Sequence, residues 1–85
     1  MREISYTVKD ELGLHARPAG ILVKEVKKYK SIIFLSAGER QVEASKLMAI
    51  MGMAIKCGDN IMLEISGEDE DFAYEKMKDF LETNL

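Results

Sequence analysis

The amino-acid sequence predicts an α+β fold of the open-faced sandwich type, in which helices cover one side of a single sheet. Four short segments have the alternating or compact apolar pattern of strands, and three others repeat apolar residues at helical spacing. They follow one another in the order β-α-β-β-α-β-α. Strands that are apolar on one face need a cover, which three amphipathic helices can supply. This periodicity leaves the order of the strands within the sheet open.

In the first third of the chain, a strand is followed by a loop and a helix. Ile4, Tyr6 and Val8 alternate with polar neighbours, which is typical of a half-buried strand. The polar segment 9–13 ends in a glycine and is expected to be a loop. Apolar residues then recur at helical spacing and predict a helix from near Ala16 to near Lys28.

The middle of the chain is predicted to contain a hairpin and a short helix. Residues 31–36 form a strand-like apolar run, residues 37–39 have the composition of a turn, and residues 40–43 would return as a short strand. Ser45 is expected to cap a second helix, which runs from Lys46 to about Met53.

The last third is predicted to be a turn, a strand and a helix. The turn at residues 56–59 precedes an alternating strand at residues 61–65. Ser66 and Gly67 then lead into a helix with an acidic opening. The buried stripe of this helix comprises Phe72, Ala73, Met77, Phe80 and Leu81.

Composition restricts the class of protein. With 85 residues and 47% hydrophobic content, the chain is expected to fold as one domain over residues 1–85. No apolar run reaches the roughly 18–20 residues that span a membrane, and the N-terminus lacks the apolar stretch of a signal peptide. Cys57 is the only cysteine, which excludes an internal disulfide and a cysteine cluster for a metal and is expected to be an incidental thiol. These features predict a cytoplasmic protein without membrane insertion.

Charge gives little indication of a nucleic-acid partner, because the formal net charge is −3. The charge is unevenly distributed, with lysines at positions 24, 27, 28 and 30 and acidic residues at positions 68–71. Cations favour a helix C-terminus and anions a helix N-terminus, so both groups can be structural.

The single histidine, His15, lies where the loop meets the first predicted helix. Backbone N–H groups at a helix start lack intrahelical partners and lie at the positive end of the dipole, so an anion is favoured there. Arg17 supplies a planar cation suited to phosphate oxygens, and Pro18 fixes the backbone of the first turn. This chemistry fits a nucleophile beside an anion site. A lone histidine at a helix start is more often a surface residue or a cap than a catalytic group.

The stretch from Gly13 to Ala19, Gly-Leu-His-Ala-Arg-Pro-Ala, resembles the phosphorylation-site motif of the HPr family. Members of this family are the histidine-containing phosphocarriers of the bacterial sugar phosphotransferase system. The segment from Ser45 to Gly58 resembles the second helix and following turn of that family, and no gap is needed between the two segments. The resemblance covers essentially the whole chain. It implies a four-stranded antiparallel sheet with three helices packed on one face.

The resemblance also implies a stoichiometric phosphoryl carrier rather than an enzyme. His15 would accept a phosphoryl group on Nδ1 from phosphorylated enzyme I and pass it to the EIIA domains of sugar permeases. Arg17 and the backbone N–H groups of Ala16 and Arg17 would stabilise the transferring group by positioning and electrostatics. Neither a cofactor nor a metal is required.

The second predicted helix is apolar nearly all round, so part of it is expected to form an exposed patch. Met48 and Met51 can alternatively fill gaps in the core. In the HPr family the corresponding positions help to bind enzyme I and EIIA, and flanking lysines would steer acidic partners. The docking residues carried over by position are Gly20, Lys24, Lys27, Leu47, Met48 and Met51.

The sequence departs from the family at a regulatory position. Many Gram-positive members carry a serine at the start of this helix that an ATP-dependent HPr kinase phosphorylates. Here Lys46 occupies that place, and Ser45 precedes it by one residue, a turn of about 100° on a helix. Because Ser45 is also expected to act as N-cap, we expect neither regulatory phosphorylation nor a partnership with HPr kinase.

Two other functions remain open. One is a regulatory binding module of HPr shape that no longer transfers phosphate. The presence of both His15 and Arg17 argues against it, since a pure binding module needs neither. The other is a carrier in a nitrogen-type regulatory phosphotransferase chain, which the sequence separates only weakly from a carrier for sugar uptake.

Overall fold

The computed structural model describes residues 1–85 and contains one four-stranded sheet and three helices. The sequence predicted these seven elements in the observed order, and the α+β open-faced sandwich is confirmed. None of the helices is both long and apolar enough to cross a membrane. In chain order the elements are β1 (Arg2–Thr7), α1 (Ala16–Val26), β2 (Ile32–Ala37), β3 (Arg40–Glu43), α2 (Leu47–Met51), β4 (Asn60–Ser66) and α3 (Glu70–Asn84).

The strands lie in the order β1-β4-β2-β3, and every neighbouring pair is antiparallel. Leu63 of β4 lies opposite Ile4 of β1 on one side and Leu35 of β2 on the other. These three residues are buried on the same face of the sheet, as are Ile61 and Ile65. Successive side chains of a strand point to opposite faces, and Ile32 and Phe34 of β2 are exposed on the other face, which no helix covers.

A single core of 20 buried apolar residues fills the space between the sheet and the helices. Burying one leucine or isoleucine side chain contributes about 1.5–3 kcal/mol, so this cluster is the main source of stability. The buried residues that α1 and α3 contribute are Pro18, Ala19, Leu22, Val23, Val26, Ala73, Met77 and Leu81.

Two helices end earlier than the sequence predicted. α1 ends at Val26 rather than near Lys28, and α2 ends at Met51 rather than near Met53. After α2, the Met53 N–H donates to the Ile50 carbonyl at 3.0 Å and continues the chain as a tighter turn. Such tightening is common where the last carbonyls of a helix need donors.

The acidic stretch forms the beginning of α3 and has structural partners. Asp69 is the N-cap residue, and its carboxylate accepts hydrogen bonds from the backbone N–H groups of Lys30 (2.8 Å) and Ser31 (2.9 Å) and from the Ser31 hydroxyl. These bonds, that of the Ser31 hydroxyl above all, lower the pKa of Asp69. Glu70 and Asp71 follow in the first turn, where the helix dipole favours anions.

Candidate functional site

His15 is the N-cap residue of α1. Its backbone is extended, and its carbonyl accepts the first helical hydrogen bond, from the Ala19 N–H at 2.9 Å. Its side chain makes no capping hydrogen bond, and 37% of that side chain is exposed. His15 therefore occupies the N-cap position through its backbone, while its imidazole stays accessible and makes no capping hydrogen bond.

The first turn of α1 presents donors with no partner inside the chain. The backbone N–H groups of Ala16 and Arg17 make no hydrogen bond, and Pro18 carries no N–H. The Arg17 guanidinium is exposed and takes part in no hydrogen bond or ion pair within the protein. At the positive end of a helix dipole, such donors form an anion site.

Gly13 fixes the approach of the loop to this site. Its φ is +70°, in the left-handed region that glycine adopts without strain. A Cβ at this position would lie 2.7 Å from the Lys56 Cα and closer still to the Ile55 carbonyl oxygen. The neighbouring Leu14 N–H donates to that same carbonyl at 3.0 Å. The loop is thus packed against the segment after α2, which brings His15 towards α2.

Two shallow depressions flank the imidazole, and His15 and Leu12 line both of them. The depression on the α2 side is mainly apolar and includes Met51 and Ile55. The other is more polar and includes Asp10, Arg17, Pro18, Ile21 and Asn84.

Leu12 is a site residue that the sequence reasoning missed. Its side chain is 75% exposed, yet the sequence placed it in a loop described only as polar. The available signal was a single large apolar residue within that loop, three positions before His15. An exposed leucine there is typical of a contact surface when other apolar side chains lie nearby.

α2 exposes the apolar residues that the sequence offered as docking candidates. Met48 is 76% exposed, Met51 38% and Leu47 37%, whereas Ile50 and Met53 are buried. Met48 and Met51 therefore do not fill gaps in the core. Their role in docking stays a prediction.

The remaining docking candidates lie on or just after α1. Gly20 is partly exposed, and Lys24 and Lys27 are exposed without an ion pair inside the protein.

The Arg40 guanidinium donates to the Gly52 carbonyl at 2.8 Å and connects the end of α2 to β3. This bond helps to fix the position of α2 relative to the sheet.

The prediction that Ser45 caps α2 was wrong. The helix begins at Leu47, so its N-cap residue is Lys46, which makes no side-chain capping bond. The Ser45 hydroxyl donates instead to the Glu43 carboxylate at 2.9 Å. A hydrogen bond to that nearby anion satisfies the hydroxyl one residue before the helix.

The structure offers no cluster of side chains suited to a metal. No group of three or more His, Cys, Asp or Glu side chains is arranged to hold one. Cys57 is exposed, and its Sγ lies 3.7 Å from the Lys9 carbonyl oxygen.

Comparison with known protein families gives a match over nearly the whole chain. A family model described as "PTS HPr component phosphorylation site" matches residues 2–83. The phosphocarrier protein HPr of Mycoplasma capricolum subsp. capricolum is 41% identical over 78 residues, which cover 92% of this chain and 88% of that protein. The HPr-like protein Crh of Bacillus subtilis is 35% identical over 78 residues, and the alignment covers 92% of this chain and 92% of that protein.

Solved structures agree with this match. The crystal structure of HPr from Thermoanaerobacter tengcongensis has a TM-score of 0.92 at 32% sequence identity. The alignment covers 99% of this chain and 94% of that one. Family model, sequence relatives and fold therefore coincide, and this chain belongs to the HPr family of phosphocarrier proteins, which are carriers rather than enzymes.

Proposed function

We propose that this protein is a cytoplasmic, single-domain carrier that accepts a phosphoryl group on Nδ1 of His15. The donor is phosphorylated enzyme I, and the acceptors are EIIA domains of sugar permeases. The observation that carries this proposal is the set of unpartnered donors beside the imidazole, namely the N–H groups of Ala16 and Arg17 and the Arg17 guanidinium.

The geometry suits phosphoryl transfer because this reaction needs positioning and charge stabilisation more than covalent help from the protein. The lone pair of Nδ1 attacks phosphorus, the new N–P bond forms, and the bond between phosphorus and the donor protein breaks. Negative charge on the phosphoryl oxygens is stabilised by the N–H groups of Ala16 and Arg17. Arg17 adds a cation whose fork matches two oxygens.

The partner surface that we propose surrounds His15 on both sides. On the α2 side it comprises Leu47, Met48 and Met51, and on the other side Leu12 and Ile21, all of them exposed. Apolar contact on two sides of the imidazole would exclude water from the transferring group. The flexible methionines suit a surface that must fit both a donor and several acceptors.

Charge should assist the same encounter. Lys24 and Lys27 have no ion-pair partner within the protein, whereas Lys28 and Lys30 bind Glu25 and Glu68. Unpaired lysines beside a docking surface attract an acidic partner and mainly raise the association rate.

The experiment that tests the carrier function uses enzyme I and phosphoenolpyruvate. Intact mass should increase by one acid-labile phosphoryl group, and a His15→Ala variant should gain none. The labelled protein should then lose the group when an EIIA domain is added. Absence of the mass increase, or an increase that persists in His15→Ala, would contradict the proposal.

Regulation at α2 is tested separately. With HPr kinase and ATP, we expect no acid-stable phosphate, because Lys46 occupies the place of the family's serine and the Ser45 hydroxyl is bound to Glu43. An acid-stable phosphate that disappears in Ser45→Ala would show that the kinase does act on this protein.

A further inference from the structure

We propose that Asp10 is a positioning residue for His15, whose carboxylate keeps the imidazole proton on Nε2 and so leaves Nδ1 as the nucleophile. This inference rests on the proposed carrier function and deepens it. It begins from one contact: the Asp10 Oδ1 atom lies 3.8 Å from His15 Nε2. The contact joins the loop after β1 to His15, the N-cap residue of α1.

The Asp10 carboxylate is held in place by its own loop. Oδ1 accepts the Leu12 N–H at 3.0 Å, and the Asp10 carbonyl accepts the Gly13 N–H at 2.9 Å. The Asp10 N–H donates to a main-chain oxygen of Leu85 at 2.9 Å. About a third of the carboxylate side chain remains exposed, 32%. One hydrogen bond thus holds the carboxylate and two hold the Asp10 backbone, so the carboxylate can orient a neighbouring ring at little further entropic cost.

Among the charged side chains that line the depressions beside His15, Asp10 differs in being an anion. The two depressions that flank His15 are lined by the cations Arg17 and Lys56 and by one carboxylate, that of Asp10. Both cations oppose positive charge on the ring, whereas Asp10 favours it. Nε2 lies 3.8 Å from this carboxylate, within ion-pair distance, so a proton on that nitrogen is stabilised relative to one on Nδ1.

The same contact acts during transfer in both directions. When Nδ1 attacks phosphorus, the N–P bond forms, the donor's bond to phosphorus breaks, and the ring becomes positively charged while Nε2 keeps its proton. The carboxylate of Asp10 stabilises that charge. When the N–P bond later breaks towards an acceptor, its electrons return to Nδ1, and the ring leaves as neutral imidazole. No proton has to enter or leave the site.

The test uses Asp10→Asn, which preserves side-chain size and an oxygen that can accept the Leu12 N–H but removes the charge. Asp59→Asn is the matched control, since Asp59 also accepts a backbone N–H, from Lys56 at 2.9 Å, and lines neither depression beside His15. Ring ¹⁵N chemical shifts of His15, followed upward in pH until they stop changing, report which nitrogen carries the proton.

In Asp10→Asn we expect a smaller fraction of the Nε2-protonated tautomer than in the wild type. We also expect kcat for phosphoryl acceptance from enzyme I to fall by about three- to fivefold at unchanged KM, because a partly exposed charge pair has a modest effect. Asp59→Asn should match the wild type in both measurements.

The outcomes separate this inference from the proposed function. A wild-type protein that accepts no phosphoryl group would refute the carrier function itself. If the wild type is phosphorylated but Asp10→Asn keeps the wild-type ring shifts, the role of Asp10 is rejected, whatever happens to kcat. Unchanged kcat with altered ring shifts would reject it as well, since the tautomer would then have no effect on transfer.

Discussion

Ser31 and Asp69 are joined by two hydrogen bonds, in which the backbone N–H and the hydroxyl of Ser31 donate to the same carboxylate oxygen of Asp69. The contact connects the start of β2 to the start of α3 across 38 positions of the sequence. The backbone at Gly67 also passes close to Ser31, since a Cβ on Gly67 would lie 2.6 Å from the Ser31 Cα. The contact between Ser31 and Asp69 therefore holds the N-cap residue of α3 against the start of β2.

Asp69→Asn should lower the melting temperature near neutral pH, and the difference from the wild type should vanish in acid. The pKa of Asp69 is lowered by its hydrogen bond from Ser31 and by that from the Lys30 N–H. Its stabilisation is therefore present above the ordinary pKa of 3.8 and is lost as the pH falls through the lower value of the folded protein. Thermal unfolding at about pH 7 and about pH 2 measures this, with exposed Asp79→Asn as control. Equal differences at both pH values would contradict it.

Gly13→Ala should destabilise the protein by about 2–4 kcal/mol, because it combines a left-handed backbone with a collision against the chain at Ile55 and Lys56. Gly38→Ala is the matched control: its φ is +62°, but a Cβ there meets nothing within 4 Å. It should cost only about 1 kcal/mol. Urea unfolding measures both, and equal losses would show that the close approach has no energetic effect.

Tyr29→Phe should destabilise the protein by about 1 kcal/mol near neutral pH, because the Tyr29 hydroxyl donates to the Glu25 carboxylate at 2.6 Å. Burial alone would raise the pKa of Glu25, but hydrogen bonds from Tyr29 and Lys28 outweigh it and lower that pKa. The loss should therefore shrink as the pH falls below the ordinary value of 4.5.

The control for Tyr29 is Tyr6→Phe. The Tyr6 hydroxyl is buried and has no hydrogen-bond partner, so its removal should leave stability unchanged or slightly raised. Thermal unfolding of both variants across the acid range gives the comparison. A Tyr29→Phe loss that stays constant down to about pH 3 would show that the ionised carboxylate is not its source.

Met48→Ser should raise the KM for phosphorylated enzyme I by about fivefold or more, equivalent to roughly 1 kcal/mol, with little change in stability. Met48 is 76% exposed, so its truncation removes contact area for a partner and almost none from the core. Ile32→Ser is the control, since Ile32 is also exposed but lies on the uncovered face of the sheet. An equal rise of KM in both variants would indicate a non-specific loss of apolar surface.

Periodicity and turn chemistry were sufficient to predict the elements of this fold, because each amphipathic segment has its own local signature. The strand order was not predictable in this way: β4 lies between β1 and β2 through pairings such as Ile4 with Leu63, which are remote in sequence. The cap of α2 was misjudged for a related reason. The hydroxyl of Ser45 had a competing acceptor in Glu43, which composition did not reveal.

At the site, the placement of His15, Arg17 and Pro18 at a helix start followed from the sequence. The positions of Asp10 and Leu12 beside the imidazole did not, because both depend on how the loop of residues 8–15 folds back between β1 and α1. The close approach of Gly13 to Lys56 determines that loop path, and this contact joins segments far apart in the chain.

The N-cap position of His15 also determines how readily a phosphoryl group could leave it. By a thermodynamic cycle, any free energy with which the helix start stabilises the phosphorylated form reduces the group's transfer potential by the same amount. The site provides two backbone donors and one solvent-exposed guanidinium. Helix-end effects at exposed sites amount to about 0.3–1 kcal/mol, so the helix dipole itself retains the group only weakly. A weak contribution from the dipole keeps the helix start from trapping the phosphoryl group, so the group can still be passed to an acceptor.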